Sequence, residues 1–136
     1  MADPAYILDA SAVLALMLSG PGAGQVEAVF GDACVSSVTL SEVIAQLQAR
    51  GVPDEMIDAS LADLDMDIVP FDGRQADVAG KLRNMTYAYG LGADDRACLA
   101  LAWLTKATAV SANPKWRSLR SDIKLMLVAP EQESEP

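Results

Sequence analysis

The chain contains no histidine. That absence removes a Ser-His-Asp triad, a Cys-His nucleophile pair and any zinc site with imidazole ligands. Cysteine is nearly as scarce: Cys34 and Cys98 are too few for a thiolate zinc site and fit no disulfide framework. Both read as buried thiols of a reducing compartment. Aromatic side chains number 2 Trp, 3 Tyr and 2 Phe, which leaves the aliphatic helices as the surfaces for protein contact. Positive charge is short as well, with 10 Lys and Arg against 19 Asp and Glu and a net charge of -9. No apolar run approaches the roughly 20 residues of a membrane span. The apolar stretch Ala12 to Leu18 follows Asp3 and Asp9 rather than a basic flank, unlike a signal peptide. The expected location is the cytoplasm.

What is present is a large apolar fraction and an abundance of oxygen donors. Hydrophobic residues make up 51% of the 136 positions, enough to exclude disorder throughout and to build one domain. Carboxylates, hydroxyls and amides suit hard cations such as Mg²⁺ or Mn²⁺.

Short apolar runs alternate with longer helical stretches. Ala5–Leu8, Cys34–Ser36, Asp67–Val69, Thr108–Ser111 and Ile123–Val128 read as strands, the first too short for a helix. Between them the pattern predicts helices over 11–18, 25–30, 39–50, 53–65, 73–89 and 94–105. In the helix over 39–50, Leu40, Val43, Ile44 and Leu47 recur at helical spacing, and the helix over 94–105 is apolar nearly all round, as suits a core or a subunit interface. Strands separated by helices imply an α/β fold in three layers, α/β/α, around a mostly parallel sheet. One domain over 1–129 is expected, followed by an acidic tail over 130–136 with three Glu, two Pro and no aliphatic residue, read as disordered.

In such a sheet the working site lies outside the carboxyl ends of the strands. Asp9 follows the first strand, Glu42 lies at the start of the helix after the second, Asp94 and Asp95 open the helix before the fourth, and Asn113 lies just past Ser111. Ser11 and Ser111 add hydroxyls. Several carboxylates gathered at one spot either shift their pKa upward or hold a divalent cation. A cation so held can acidify water and stabilise charge on a phosphate undergoing cleavage. Each acid also has a local explanation. Thr39-x-x-Glu42 has the form of a capping box, and Asp9, Ser11, Asp94 or Asp95 could cap a helix.

Taken together the segments resemble the PIN-domain ribonucleases, and within them the VapC-type toxins of toxin–antitoxin pairs. Tyr6-Ile7-Leu8-Asp9-Ala10-Ser11-Ala12-Val13-Leu14-Ala15-Leu16 is similar to the family's first acidic motif, Ser41-Glu42-Val43 to the second, and Gly92-Ala93-Asp94-Asp95-Arg96-Ala97-Cys98 to the third. The resemblance implies a Rossmann-like fold that holds Mg²⁺ or Mn²⁺ and cleaves RNA. It implies Asp9, Glu42 and Asp95 as catalytic and metal-holding acids, with Ser11, Asp94, Ser111 and Asn113 in support. The fourth motif departs from the family: Ser111-Ala112-Asn113 stands where a hydroxyl residue, Ala and Asp are usual. Asn is a neutral oxygen ligand and cannot offset metal charge. The resemblance also implies a homodimer and a complex with a small antitoxin that blocks the site.

The charge is unevenly spread. From Asp54 to Asp77 there are eight acidic residues and one basic, whereas Lys115 to Lys124 holds four basic and one acidic. RNA is therefore expected to approach beside the fourth strand, with Arg96, Lys115 and Arg117 on phosphates. Trp116 either stacks on a base or covers core. The competing expectation is a catalytically weak PIN domain that serves as an RNA- or protein-binding module. A phosphotransfer receiver fits poorly, because Asp9 has no acidic neighbour and Lys115 follows Pro114 outside any strand.

Overall fold

The computed structural model describes residues 3–128. The expected tail over 130–136, and the end of the domain at 129, lie outside the described residues. The elements run β1 (Tyr6–Leu8), α1 (Ala10–Met17), α2 (Ala23–Val29), β2 (Ala33–Ser36), α3 (Ser37–Ala49), α4 (Asp54–Leu64), β3 (Asp67–Val69), α5 (Gly73–Lys81), α6 (Arg83–Tyr87), α7 (Ala93–Thr105), β4 (Thr108–Ser111) and β5 (Leu125–Leu127). Short 3-10 helices precede β2 (Phe30–Asp32) and follow β4 (Pro114–Ser118).

The five strands form one sheet in the order β3-β2-β1-β4-β5, and every pairing is parallel. A parallel sheet needs apolar groups on both faces, and three strands supply them by simple alternation. Leu8, Val35 and Val110 face one layer, with α1, α2, α3 and α4. Ile7, Cys34 and Ala109 face the other, where α7 packs with Trp116 and Ile123. This is the expected three-layer α/β/α architecture. The apolar helix α7 is core: Ala97 to Ala102 are all buried, while Trp103 is 51% exposed. No helix among the described residues is long and apolar enough to cross a membrane.

Most expected elements shift by a residue or two at their ends, and three differ for an identifiable physical reason. The helix expected over 39–50 starts at Ser37, because the Ser36 hydroxyl ends β2 and accepts from the Val38 N–H at 3.1 Å. The capping box at Thr39 and Glu42 therefore does not form. Thr39 joins Val43 and Leu47 on the buried stripe, and its hydroxyl has no hydrogen-bond partner. The helix expected over 73–89 is two helices, parted at Leu82, whose backbone is at φ -85° and ψ 0°. Beyond the break, the Thr86 hydroxyl donates back to the carbonyls of Leu82 and Arg83, a contact that competes with the helical ladder. The fifth strand is shorter than 123–128, since the Ile123 N–H is taken by the Ser121 hydroxyl in a turn.

The chain returns to the core at Val128, whose N–H donates to the Ser111 carbonyl at 2.9 Å. It packs there against Gly22, the N-cap of α2, which sits at φ +89°. A Cβ on Gly22 would collide with the Val128 carbonyl oxygen. Gly24, inside α2, has open space around it. Gly22→Ala is expected to destabilise the fold by more than about 2 kcal/mol, through the clash and the left-handed backbone together. Gly24→Ala is expected to stabilise it by roughly 0.5–1 kcal/mol. Urea unfolding of the two variants beside the parent checks both signs.

Candidate active site

The strand order reverses direction between β1 and β4, neighbours in the middle of the sheet. A doubly wound sheet opens a crevice at such a switch point, outside the carboxyl ends of the two strands. Asp9 stands at the end of β1 and Ser111 at the end of β4. Asp9 and Ser111 are thus the residues that stand, buried, at the switch point.

Asp9 is buried, at 3% exposure. It is the N-cap of α1, so one local expectation holds: its Oδ1 accepts from the Ala12 N–H at 2.8 Å. The same oxygen accepts from the Ser11 hydroxyl at 2.7 Å, and Oδ2 accepts from the Ser111 hydroxyl at 2.5 Å. The Ser11 oxygen accepts in turn from the Ala112 N–H at 2.8 Å, and the Ser111 oxygen from the Asn113 N–H at 3.0 Å. These bonds stitch the start of α1 to the end of β4. Burial pushes the Asp9 carboxyl from 3.8 up to about 6, and the Asp95 charge adds to the rise; hydrogen bonds from Ser111, Ala12 and Ser11 oppose it.

Asp95 lies in the first turn of α7, half-buried. Its Oδ2 accepts from the Gly92 N–H at 2.9 Å, and its Oδ1 accepts from the Trp116 indole Nε1–H at 3.2 Å. Gly92 is the N-cap, so Asp94 does not cap α7; the capping bond belongs to Asp95. Burial raises the Asp95 carboxyl, with the Asp94 charge adding, against the Gly92 N–H, the Trp116 indole and the Arg96 charge. Cys98, one turn further along α7, is fully buried and points its thiol at the Ile7 carbonyl, 3.7 Å away. Its thiol is raised by burial first and then by the Asp9 and Asp95 charges. Asp9, Asp95 and Cys98 therefore share one electrostatic neighbourhood above β1.

Glu42 is placed differently. It is half-buried, and its Oε2 accepts from Gln46 Nε2 at 2.9 Å along the same helix. Its helix α3 packs against both α1 and α7, which carry the surroundings of Asp9 and Asp95. Among the described residues no three acidic or cysteine side chains stand together as a metal-binding group. Asn113 Oδ1 accepts from the Lys115 N–H at 3.0 Å and so caps the 3-10 helix Pro114–Ser118. Trp116 covers core at 0% exposure, which excludes base stacking, while Lys115 and Arg117 on either side of it are exposed. Lys115 Nζ reaches over Gly90, in the turn before α7. Arg96 is half-buried beside Asp95. Among the described residues the one ion pair is Lys81–Asp77 on α5, so no Lys or Arg neutralises Asp9 or Asp95 directly.

The donor set at the crevice is all oxygen. The Asp95 charge opposes ionisation of Asp9, and among the described residues neither acid has a protein cation in direct contact. That combination fits a hard divalent cation such as Mg²⁺ or Mn²⁺. Asp9 and Asp95 form this pair, and Glu42, bonded to Gln46, adjoins it through its helix rather than joining it.

Comparison with known proteins agrees with this architecture. A family model for the PIN domain matches residues 6–121, and the chain belongs to that family. Among solved structures, VapBC2 from Rickettsia felis bound to a promoter DNA fragment is 20% identical, covers 88% of this chain and 96% of its own, and superposes with a TM-score of 0.70. DNA-bound VapBC from Salmonella typhimurium is 17% identical over 92% and 97% of the two chains, with a TM-score of 0.71. VapBC-5 from Mycobacterium tuberculosis, a member of the VapBC family of toxin–antitoxin systems, is 20% identical over 93% and 99%, with a TM-score of 0.61. Comparison with curated proteins gives no significant match.

The raised Asp9 carboxyl has a consequence for stability. The folded value, about 6, exceeds the ordinary 3.8. As pH rises from about 4 to above 6, the unfolded chain releases this proton before the native one, so the contribution of Asp9 to stability falls by on the order of 3 kcal/mol. Asn in place of Asp9 keeps an acceptor for the Ala12 N–H and never ionises. In chelator, Asp9→Asn is expected to be more stable than the parent at pH 8, by roughly 1–3 kcal/mol, with the gap closing toward pH 4. Urea unfolding of both proteins across that range checks it.

Proposed function

We propose that this chain is a divalent-cation-dependent endoribonuclease and the toxin of a VapBC-type toxin–antitoxin pair. The observation that carries the proposal is the buried Asp9 carboxylate at the switch point of the sheet, acted on by Asp95 and in direct contact with no protein cation. The structural neighbours, VapBC complexes among them, support the toxin assignment.

Asp9 and Asp95 would hold Mg²⁺ or Mn²⁺, and Glu42 from α3 would join them only by exchanging its bond to Gln46 for the cation. When bound, such a cation supplies a Lewis acid that acidifies water and offsets charge on the phosphate. The remaining work falls to the chain itself. Ser11 and Ser111 fix both oxygens of Asp9 from two sides. Asn113 caps the 3-10 helix and thereby sets where Lys115 and Arg117 emerge. Lys115, Arg117 and Arg96 bind phosphates and draw a polyanion to one side of an otherwise acidic protein. Asp94 adds negative charge beside Asp95 without a bond of its own. The working protein is a cytoplasmic homodimer, held inactive by a small antitoxin.

A second reading, a catalytically weak PIN domain that binds RNA or protein, is favoured by Asn113, whose side chain is a neutral cap where the family usually has Asp. Cleavage of an RNA panel with Mg²⁺ or Mn²⁺ separates the two. The nuclease reading expects Asp9→Asn and Asp95→Asn each to reduce cleavage by at least about 100-fold. Cleavage that survives chelation or Asp9→Asn would sink it, and RNA binding without cleavage would favour the second reading.

The basic rim makes a separate demand. Replacing Lys115 and Arg117 by Ala is expected to weaken RNA binding across sequences. It should also flatten the dependence of log affinity on log salt by roughly 0.7 for each phosphate that the variant no longer engages. Salt titrations of RNA binding measure the slope directly.

A further inference from the structure

The carboxylate of Asp95 is held at both oxygens, and one of the two holders is a side chain to which the nuclease reading assigns no task. The Gly92 N–H bonds Oδ2 from within the same helix start, at 2.9 Å. The Trp116 indole bonds Oδ1 at 3.2 Å from a different element, the 3-10 helix after β4. Trp116 has 0% exposure and packs in the layer of Leu99 and Ile123. A buried indole N–H needs an acceptor, and the acceptor it finds here is this carboxylate. One bond to one oxygen leaves a carboxylate free to rotate about that contact. Two bonds from two elements fix its plane. Each oxygen still keeps a lone-pair direction, since an ionised carboxylate has about four acceptor sites.

We propose that Trp116 is a positioning residue for the site: its indole N–H locks the rotation of the Asp95 carboxylate and pre-orients it for a divalent cation. The inference rests on the nuclease reading of the Asp9 and Asp95 pair. Phe would fill much of the same core and donate nothing, so the role resides in one N–H group.

The chain has 2 Trp, and the other, Trp103, is exposed and outside the site. In a Trp103→Phe background the tryptophan emission, excited selectively over tyrosine, therefore comes from Trp116 alone. Adding Mg²⁺ to that metal-free protein is expected to change the emission saturably, and Asp95→Asn is expected to abolish the change. Calorimetry with Mg²⁺ is expected to show roughly 10–100-fold weaker binding by Trp116→Phe, the scale on which ligand-orienting partners act. Thermal melting confirms that the variant is folded. If Trp116→Phe binds Mg²⁺ as tightly as the parent, the positioning role is overturned while the nuclease reading stands. If the parent binds no Mg²⁺ and cleaves no RNA, the nuclease reading fails and takes this role with it. Should Trp116→Phe not fold, the Trp103→Phe protein decides: Mg²⁺ that binds by calorimetry without altering Trp116 emission overturns the proposal.

Discussion

A carboxylate removed from water at the end of β1 sets the terms for the rest of this molecule. Asp9 is 3% exposed and has three hydrogen-bond donors and no ion-pair partner. Burial alone would hold such a group neutral, and the donors recover only part of the cost of ionising it. Two of the donors come from the start of α1 and the third from the end of β4. The carboxylate can be held this way only where β1 and β4 are neighbours. The order β3-β2-β1-β4-β5 therefore does more than pack layers. It brings Ser111 to Asp9 across a separation of 102 positions. An acid kept buried at a cost to stability, in the crevice such a sheet leaves open, is more readily explained by a site than by packing.

Much of this arrangement is legible in the sequence, because parallel strands and their helices leave strong local marks. The runs at Ala5–Leu8, Cys34–Ser36, Asp67–Val69 and Thr108–Ser111 are short and followed by helix or turn signals, so their C-terminal ends can be read closely. The position of Asp9 at a strand end follows from that. What local pattern does not resolve is competition between overlapping signals. Ser36 and Thr39 both offer a hydroxyl to a helix start, and Thr39-x-x-Glu42 is the better-formed box. Ser36 prevails because β2 runs straight into α3 and because Thr39 falls in line with Val43 and Leu47, toward the core. The same shift takes Glu42 out of the first turn and onto Gln46. At Asp94 and Asp95 two acids compete for one cap, and neither becomes the N-cap residue. Gly92 does, and Asp95 reaches back to its N–H.

Contacts between distant segments are illegible for a different reason. Nothing local to Trp116 says which acceptor its indole will meet, since Asp95 is 21 positions away and belongs to another element. From sequence this residue either covers core or stacks on a base. The structure puts the ring in the core and its single polar atom on the acidic pair. Asn113 is a similar case. Read as a missing acid, it looks like a loss of metal charge. In place, its Oδ1 is committed to the Lys115 N–H, and what it contributes is the shape of the next turn.

That turn explains how an acidic protein can present cations beside its acidic crevice without neutralising it. A 3-10 helix advances about 120° per residue, so the neighbours of a buried residue must diverge from it. With Trp116 fixed beneath Asp95, Lys115 and Arg117 are forced outward on either side, and both are exposed. Among the described residues neither makes an ion pair with Asp9 or Asp95, so the two acids stay unpaired while the exposed bases beside Trp116 carry the opposite sign. Without the indole, the hydrogen bond that ties this turn to the first turn of α7 would be lost. The buried indole thus does two things with one anchor: it holds an acid from below and keeps two bases apart from it. Under the proposed nuclease reading, a negative floor and a positive rim would serve a cation and a phosphate chain bound side by side.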